Sequence, residues 1–174
     1  MLDTQSLRII DANSNRTREA LRVVEDVVRF SWEDARTASR LKRERHLISR
    51  ACDVLLRKNF KGLKARDTFR DPGRDSMSKT EGTRKNLDEI LLSNFRRAEE
   101  GLRVLEEVSK LAGPGSGRPF KRARFRVYNL EKACLLKLGR RARSGRGKSK
   151  RSGSSGPKRN SGLKRKSGRG RAGA

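Results

Sequence analysis

The chain has 174 residues, 46 of them Lys or Arg against 20 Asp or Glu, for a formal net charge of +26 at pH 7. One histidine and two cysteines, with no CxxC or Cys/His cluster, argue against zinc. No stretch approaches the roughly 20 apolar residues that span a bilayer, and the N-terminus lacks a basic-then-apolar signal pattern. A soluble, cytoplasmic chain is therefore expected, not a membrane protein, with Cys52 and Cys134 as reduced core residues.

Taken in chain order, the pattern predicts four helices. The first spans 4–30, with Ile10, Thr17, Ala20, Val24, Val27 and Val28 on one stripe at about 100° per residue. The second spans 32–58, opened by Ser31 with Asp34 at capping-box spacing and carrying Ala38, Leu41, Ile48, Cys52 and Leu55. Residues 59–78 form a long connection, and loops of that length tend to be functional or disordered. The third helix spans 79–112, opened by Ser78 with Glu81 and closed by Gly113-Pro114. The fourth spans 119–138 with Phe120, Val127, Leu130, Cys134 and Leu138 on its stripe, and stops at Gly139. From Gly139 to Ala174 there are 14 basic and no acidic residues in a Gly/Ser background. Such a segment has little apolar surface to offset the entropy of ordering, so a disordered tail is expected. The charge thus divides into +12 on a folded body, 1–138, and +14 on the tail, 139–174.

A repeat organises the body. Asn13–Phe30 (NSNRTREALRVVEDVVRF) and Asn94–Leu111 (NFRRAEEGLRVLEEVSKL) align without a gap at an offset of 81, with eight identities in 18 positions. Ile48–Cys52 aligns more weakly with Leu130–Cys134 at an offset of 82. The fold class expected is all-α: a four-helix bundle made of two duplicated helical hairpins, with a basic tail.

The repeat singles out residues for chemistry. Asn13 and Asn94 lie at the centres of apolar stripes, where a buried amide needs partners. Either they touch each other and fix helix register, or they aim at a ligand between the hairpins. Arg16 and Arg97 follow at the stripe edge, each with a Glu three residues on, Glu19 and Glu100. Arg22 and Arg103 stand likewise before Glu25 and Glu106. Taken singly these are surface ion pairs of a few tenths of a kcal/mol, about 0.3 each. Their recurrence at fixed places in both copies points further. Forked Arg donors suit phosphate oxygens, and carboxylates suit magnesium or proton acceptance. In the connection, Arg66-Asp67-Thr68 and Asp71-Pro72-Gly73 offer a cation, two carboxylates and a turn, or simply a surface turn. His46 can serve as an acid or base but has no obvious partner, and Tyr128, its counterpart in the second hairpin, can stack on a ring or pack. No phosphate-loop, dinucleotide-binding, protein-kinase or Ser–His–Asp pattern is present.

Arg8-Ile9-Ile10-Asp11-Ala12-Asn13, Leu21–Asp26, Arg45-His46, Ala65–Thr68, Asp71–Gly73, Asn94–Glu107 and Arg124–Glu131 together resemble, in order over about residues 7–138, one known family. It is the helical domain fused in many bacteria to the N-terminus of thiamine-phosphate synthase and regarded as an alternative hydroxymethylpyrimidine-phosphate kinase. The resemblance implies ATP-dependent phosphorylation of a pyrimidine phosphomonoester to the pyrophosphate, with magnesium, in thiamine biosynthesis, and thiamine-phosphate synthase as a partner. Two features depart from it. The 174 residues leave no room for the synthase barrel, and Pro72 stands where Val is usual, removing a backbone donor.

The resemblance assigns no residue roles, so these follow from side-chain chemistry. Phosphate and substrate contacts fall to Asn13, Arg16, Arg22, Arg66, Gly73, Asn94, Arg97, Arg103 and His46. Catalysis falls to Asp67, Asp71, Glu25 and Glu106, with Asp67 and Asp71 as magnesium ligands. The alternative expectation is a small basic nucleic-acid- or ribosome-associated binding protein. Its tail would contact polyanions without reading sequence, since it offers no aromatic ring for stacking.

Overall fold

The computed structural model describes residues 2–56, 61–73 and 83–149. Among these the chain is helical and contains no strand: α1 is Thr4–Asp26, α2 Ala35–Leu56, α3 Lys61–Ala65, α4 Leu87–Ser109 and α5 Arg118–Ser149. Two compact units are present, Met1–Leu138 and Gly139–Ala174. No described helix is long and apolar enough to cross a membrane.

Helix α1 starts at Asp3, whose Oδ1 accepts the Ser6 amide at 2.7 Å; the Ser6 hydroxyl and then this amide hold the carboxyl below its ordinary range. Its apolar stripe is buried as the spacing predicts: Ile10, Leu21, Val24 and Val28 are inaccessible to solvent. Beyond Asp26 the helix widens into one π turn, Val27–Ser31. Glu33 then takes φ 54°, and the chain reverses. The predicted Ser31 cap of the second helix is therefore corrected. Ser31 belongs to the π turn, and Asp34 caps α2 by accepting the Thr37 amide at 3.0 Å and the Thr37 hydroxyl at 2.6 Å. These bonds and Lys137 of α5, 2.9 Å away, hold the Asp34 carboxyl far below its ordinary range.

The third helix begins eight residues later than expected. Ser78 and Glu81 lie outside the described residues, but residues 83–86 are not helical. Asn86 is extended and supplies the cap, its Oδ1 accepting the Glu89 amide at 2.9 Å. Glu89 in turn accepts the Lys85 amide at 2.7 Å, and Asp88 and Glu89 complement the positive helix end. The connection adds the short α3. Gly139 does not end α5, which runs to Ser149; extending a formed helix is far easier than starting one, and one glycine costs only about 1 kcal/mol. The rest of the expected disordered tail, 150–174, lies outside the described residues.

One core joins the helices. Phe95, Leu91, Leu102 and Leu105 of α4 meet Ile10, Leu21 and Val24 of α1, Leu41, Ile48 and Cys52 of α2, and Phe120, Val127, Leu130 and Cys134 of α5. Both cysteines are free and buried, and desolvation pushes each thiol up to about 11. Helix α1 is central, packing against α2, α3 and α4.

The α1–α4 approach is set by small residues. A Cβ built at Gly101 would run into Thr17 Oγ1 and lie 3.5 Å from the Asn13 carbonyl oxygen. Thr17 is fully buried, its hydroxyl finds no partner among the described residues, and its β-branched side chain has little freedom to turn away. In the repeat, Thr17 corresponds to Ala98 and Gly101 to Ala20, so a larger residue in one copy is matched by a smaller one in the other. Replacing a mid-helix Gly by Ala ordinarily stabilises by about 1 kcal/mol. Here Gly101→Ala is expected to lower stability by about 1–3 kcal/mol through overpacking. The double variant Thr17→Ala/Gly101→Ala should recover most of the loss. Urea unfolding of the single and double variants measures both effects, and additivity of the two would contradict the packing account.

Candidate functional site

A cleft of about 680 Å³ opens along the α1–α4 seam. Its lining is Asn13, Arg16, Glu19, Ala20 and Val23 from α1, Asn94, Arg97, Glu100, Gly101 and Val104 from α4, and Gly73 from the connection. Ten of these eleven residues are five pairs at the repeat offset of 81, so the cleft is the place where the two copies face each other.

The paired side chains make duplicated contacts. Asn13 Nδ2 donates to the Ile9 carbonyl at 2.9 Å, and Asn94 Nδ2 to the Ile90 carbonyl at 2.8 Å, each one turn back on its own helix. The two amides thus make equivalent intrahelical bonds, and each keeps its carbonyl oxygen as an acceptor. Arg16 and Arg97 are exposed and, among the described residues, make no ion pair with the Glu three residues on or with any other group. The same holds for Glu19 and Glu100. The cleft therefore presents forked cations, carboxylates and amide oxygens whose bonding capacity the fold leaves largely unused.

One turn further along, the duplicated charges are consumed internally. Glu25 is buried and accepts from Arg45 of α2 at 3.2 and 3.3 Å. Glu106 is buried and accepts from Arg124 of α5 at 2.9 and 3.1 Å. Arg22 lies 3.8 Å from Glu25 and 3.1 Å from Asp26, and Arg103 lies 3.3 Å from Glu106 and 3.0 Å from Glu107. A buried carboxylate without a partner is strongly destabilising, so these four charges are first of all structural. None of Arg22, Glu25, Arg103 and Glu106 lines the cleft.

The connection is tied to α1. Arg66 grips Asp11 with both arms of its fork, Nε and Nη2 each 2.8 Å from a carboxylate oxygen, and Arg8 donates to the Asp67 carbonyl at 2.7 Å. Asp67 Oδ1 accepts the Arg70 amide at 3.1 Å, and Asp71 Oδ1 accepts the Gly73 amide at 2.9 Å. These bonds carry Gly73 to the cleft edge. Arg66, Asp67 and Asp71 do not line it, and neither does His46, which is exposed on α2. Among the described residues no group of three or more Asp, Glu, His or Cys is arranged to hold a metal by itself. Sequence reasoning assigned no site role to Glu19, Glu100, Val23, Val104, Asp11, Arg45 or Arg124. The offset of 81 would have found the first four; the last three belong to contacts between distant segments.

Glu99, next to the cleft on α4, is paired with Glu131 of α5. Desolvation first, then the Glu131 charge and hydrogen bond, raise the Glu99 carboxyl from 4.5 to about 7; Arg96 opposes the shift and Glu100 adds to it. The folded state thus keeps a proton that the unfolded chain has lost. This contribution to stability is present below about 4.5 and disappears as the pH rises to about 7. Wild-type stability should therefore fall relative to that of Glu99→Gln across this window. Urea midpoints of both proteins at about pH 5 and about pH 8 test it, and parallel pH dependence would refute the shift.

Residues 8–133 match the ThiD2 family. The chain is 41% identical over 124 residues to a thiamine-phosphate synthase of Nostoc punctiforme, covering 71% of this chain and 34% of that protein. It is 40% identical over 129 residues to one of Thermosynechococcus vestitus, 74% of this chain and 35% of that one. With one of Rhodopirellula baltica it shares 33% over 141 residues, 79% of this chain and 36% of that one. It thus spans about a third of the length of these relatives. No solved structure matches the chain.

Proposed function

This chain belongs to the ThiD2 family, and from that premise we propose that it phosphorylates hydroxymethylpyrimidine phosphate to the pyrophosphate with ATP, feeding thiamine-phosphate formation by a synthase partner. The observation that carries this reading is the cleft at the repeat interface, with two arginines, Arg16 and Arg97, that no carboxylate among the described residues engages. In the reaction an oxygen of the phosphomonoester attacks the γ-phosphorus of ATP, the bond to the β-phosphate oxygen breaks, and ADP leaves. Such transfers need positioning and charge stabilisation more than covalent help. Arg16 and Arg97 would each hold phosphoryl oxygens, and the Asn13 and Asn94 carbonyl oxygens would accept from ligand donors.

Magnesium fits the donor set. A hard cation that keeps one or two carboxylates and completes its shell with phosphate oxygens suits Glu19 and Glu100 better than a closed protein cage. When bound it would neutralise charge on the phosphate chain. Asp67 and Asp71, the ligands expected from sequence, have side-chain oxygens already bonded to backbone amides of their own turn. The nucleic-acid alternative finds no support in this cleft, where two arginines are balanced by two glutamates.

Purified protein with ATP, magnesium and hydroxymethylpyrimidine phosphate should release ADP and form the pyrophosphate. Arg16→Ala and Arg97→Ala are each expected to lower kcat/KM by about 10²–10³-fold at unchanged thermal stability. Folded wild-type protein that turns nothing over, or full activity in both variants, would overturn the proposal.

A further inference from the structure

The cleft treats its two halves alike, yet the proposed transfer brings together two unlike phosphorylated ligands. The asymmetry that tells them apart lies beside it. Glu100 borders both the cleft and a separate depression of about 380 Å³, whose other lining residues are Arg96, Glu99, Arg103 and Tyr128. The corresponding positions in the first copy are Asn15, Arg18, Glu19, Arg22 and, at the offset of 82, His46. One flank thus has a phenol ring and a carboxyl where the other has an imidazole and a guanidinium.

Tyr128 is braced for contact. Arg124 Nη1 donates to its hydroxyl at 2.9 Å, the guanidinium lies 5.5 Å from the ring centre, and Phe125 stands edge-on at 6.0 Å and 81°. The same Arg124 is anchored on buried Glu106, so the ring is held from the core outward, and 36% of Tyr128 stays exposed. A ring fixed in advance loses little entropy when another ring stacks on it. Glu99 and Glu100 line the same depression, and carboxyl oxygens accept hydrogen bonds. That matches the exocyclic amino group of an aminated nitrogen heterocycle, which donates.

We propose that the depression between α4 and α5, bordered by Tyr128, Glu99 and Glu100, seats the aminated heteroaromatic ring of one of the two ligands whose phosphates occupy the cleft. The inference rests on the reading of the cleft as a site for phosphorylated small molecules. Adenine and an aminopyrimidine share this chemistry, and the experiment distinguishes them.

Calorimetric titration of the full chain uses two matched pairs of probes with magnesium. One pair is the non-hydrolysable ATP analogue with an imido bridge and inorganic tripolyphosphate. The other is hydroxymethylpyrimidine phosphate and methyl phosphate. In Tyr128→Leu one ring-bearing probe is expected to bind about tenfold more weakly while its ring-free counterpart is unchanged. The probe that loses affinity is the occupant. Tyr128→Phe, which keeps the ring, should restore binding, and Glu99→Leu should weaken the same probe; circular dichroism checks that each variant is folded. Unchanged affinity for both ring-bearing probes in Tyr128→Leu overturns the inference, as does an equal loss for a ring-free counterpart. Turnover is scored separately. Active protein whose ring-bearing probes ignore Tyr128 sinks this inference alone, whereas ring-dependent binding without turnover sinks the kinase reading alone.

Discussion

Helices α1 and α4 can meet closely only because a glycine stands where Thr17 presses in. A side chain at position 101 would collide with the Thr17 hydroxyl, so the rest of the α1–α4 interface is built around that small residue. Below the contact, Ile10, Leu21, Val24, Leu102 and Leu105 close the core. Along its open side, equivalent residues of the two copies are left facing one space. The cleft is thus a consequence of how two like helices pack, and its pairwise lining follows from duplication.

Charge is sorted by burial. Glu25 and Glu106 are buried, and a buried carboxylate must be neutralised, so α2 and α5 each supply an arginine to it. Arg66 is likewise committed to Asp11 and holds the connection against α1. Arg16 and Arg97 sit on the open side, where solvent sustains a guanidinium that pairs with no carboxylate among the described residues. Cations not consumed in stabilising the fold are the ones left to meet an incoming anion, so the same physics that makes Arg45 and Arg124 structural leaves Arg16 and Arg97 available.

The two flanks of the cleft have diverged where its polar lining has not. Tyr128 in place of the imidazole, Glu99 in place of Arg18 and Arg96 in place of Asn15 make one flank aromatic and rearrange its charges. A duplicated scaffold that must hold two different phosphorylated molecules can keep the phosphate-facing residues identical, because phosphates are alike. It must differentiate the positions beyond them, where the molecules differ.

The sequence by itself determined the helical class, the duplicated hairpins and the core stripes, because 3.6-residue periodicity and a gapless repeat are written in neighbouring positions. It also marked Asn13, Arg16, Asn94 and Arg97, since a repeat preserves spacing. It misplaced helix ends, at Ser31, at Ser78 and at Gly139, because capping spacings recur by chance and the π turn at Val27 depends on how the chain must reverse. Only the tertiary structure decided which charges are spoken for. Arg22 and Arg16 look equivalent along the chain, nearly two turns apart on the same helix. Whether a guanidinium meets a buried carboxylate or open solvent depends on the helix that packs beside it, and that information lies in Arg45, 20 residues from Glu25, and in Arg124, 18 from Glu106.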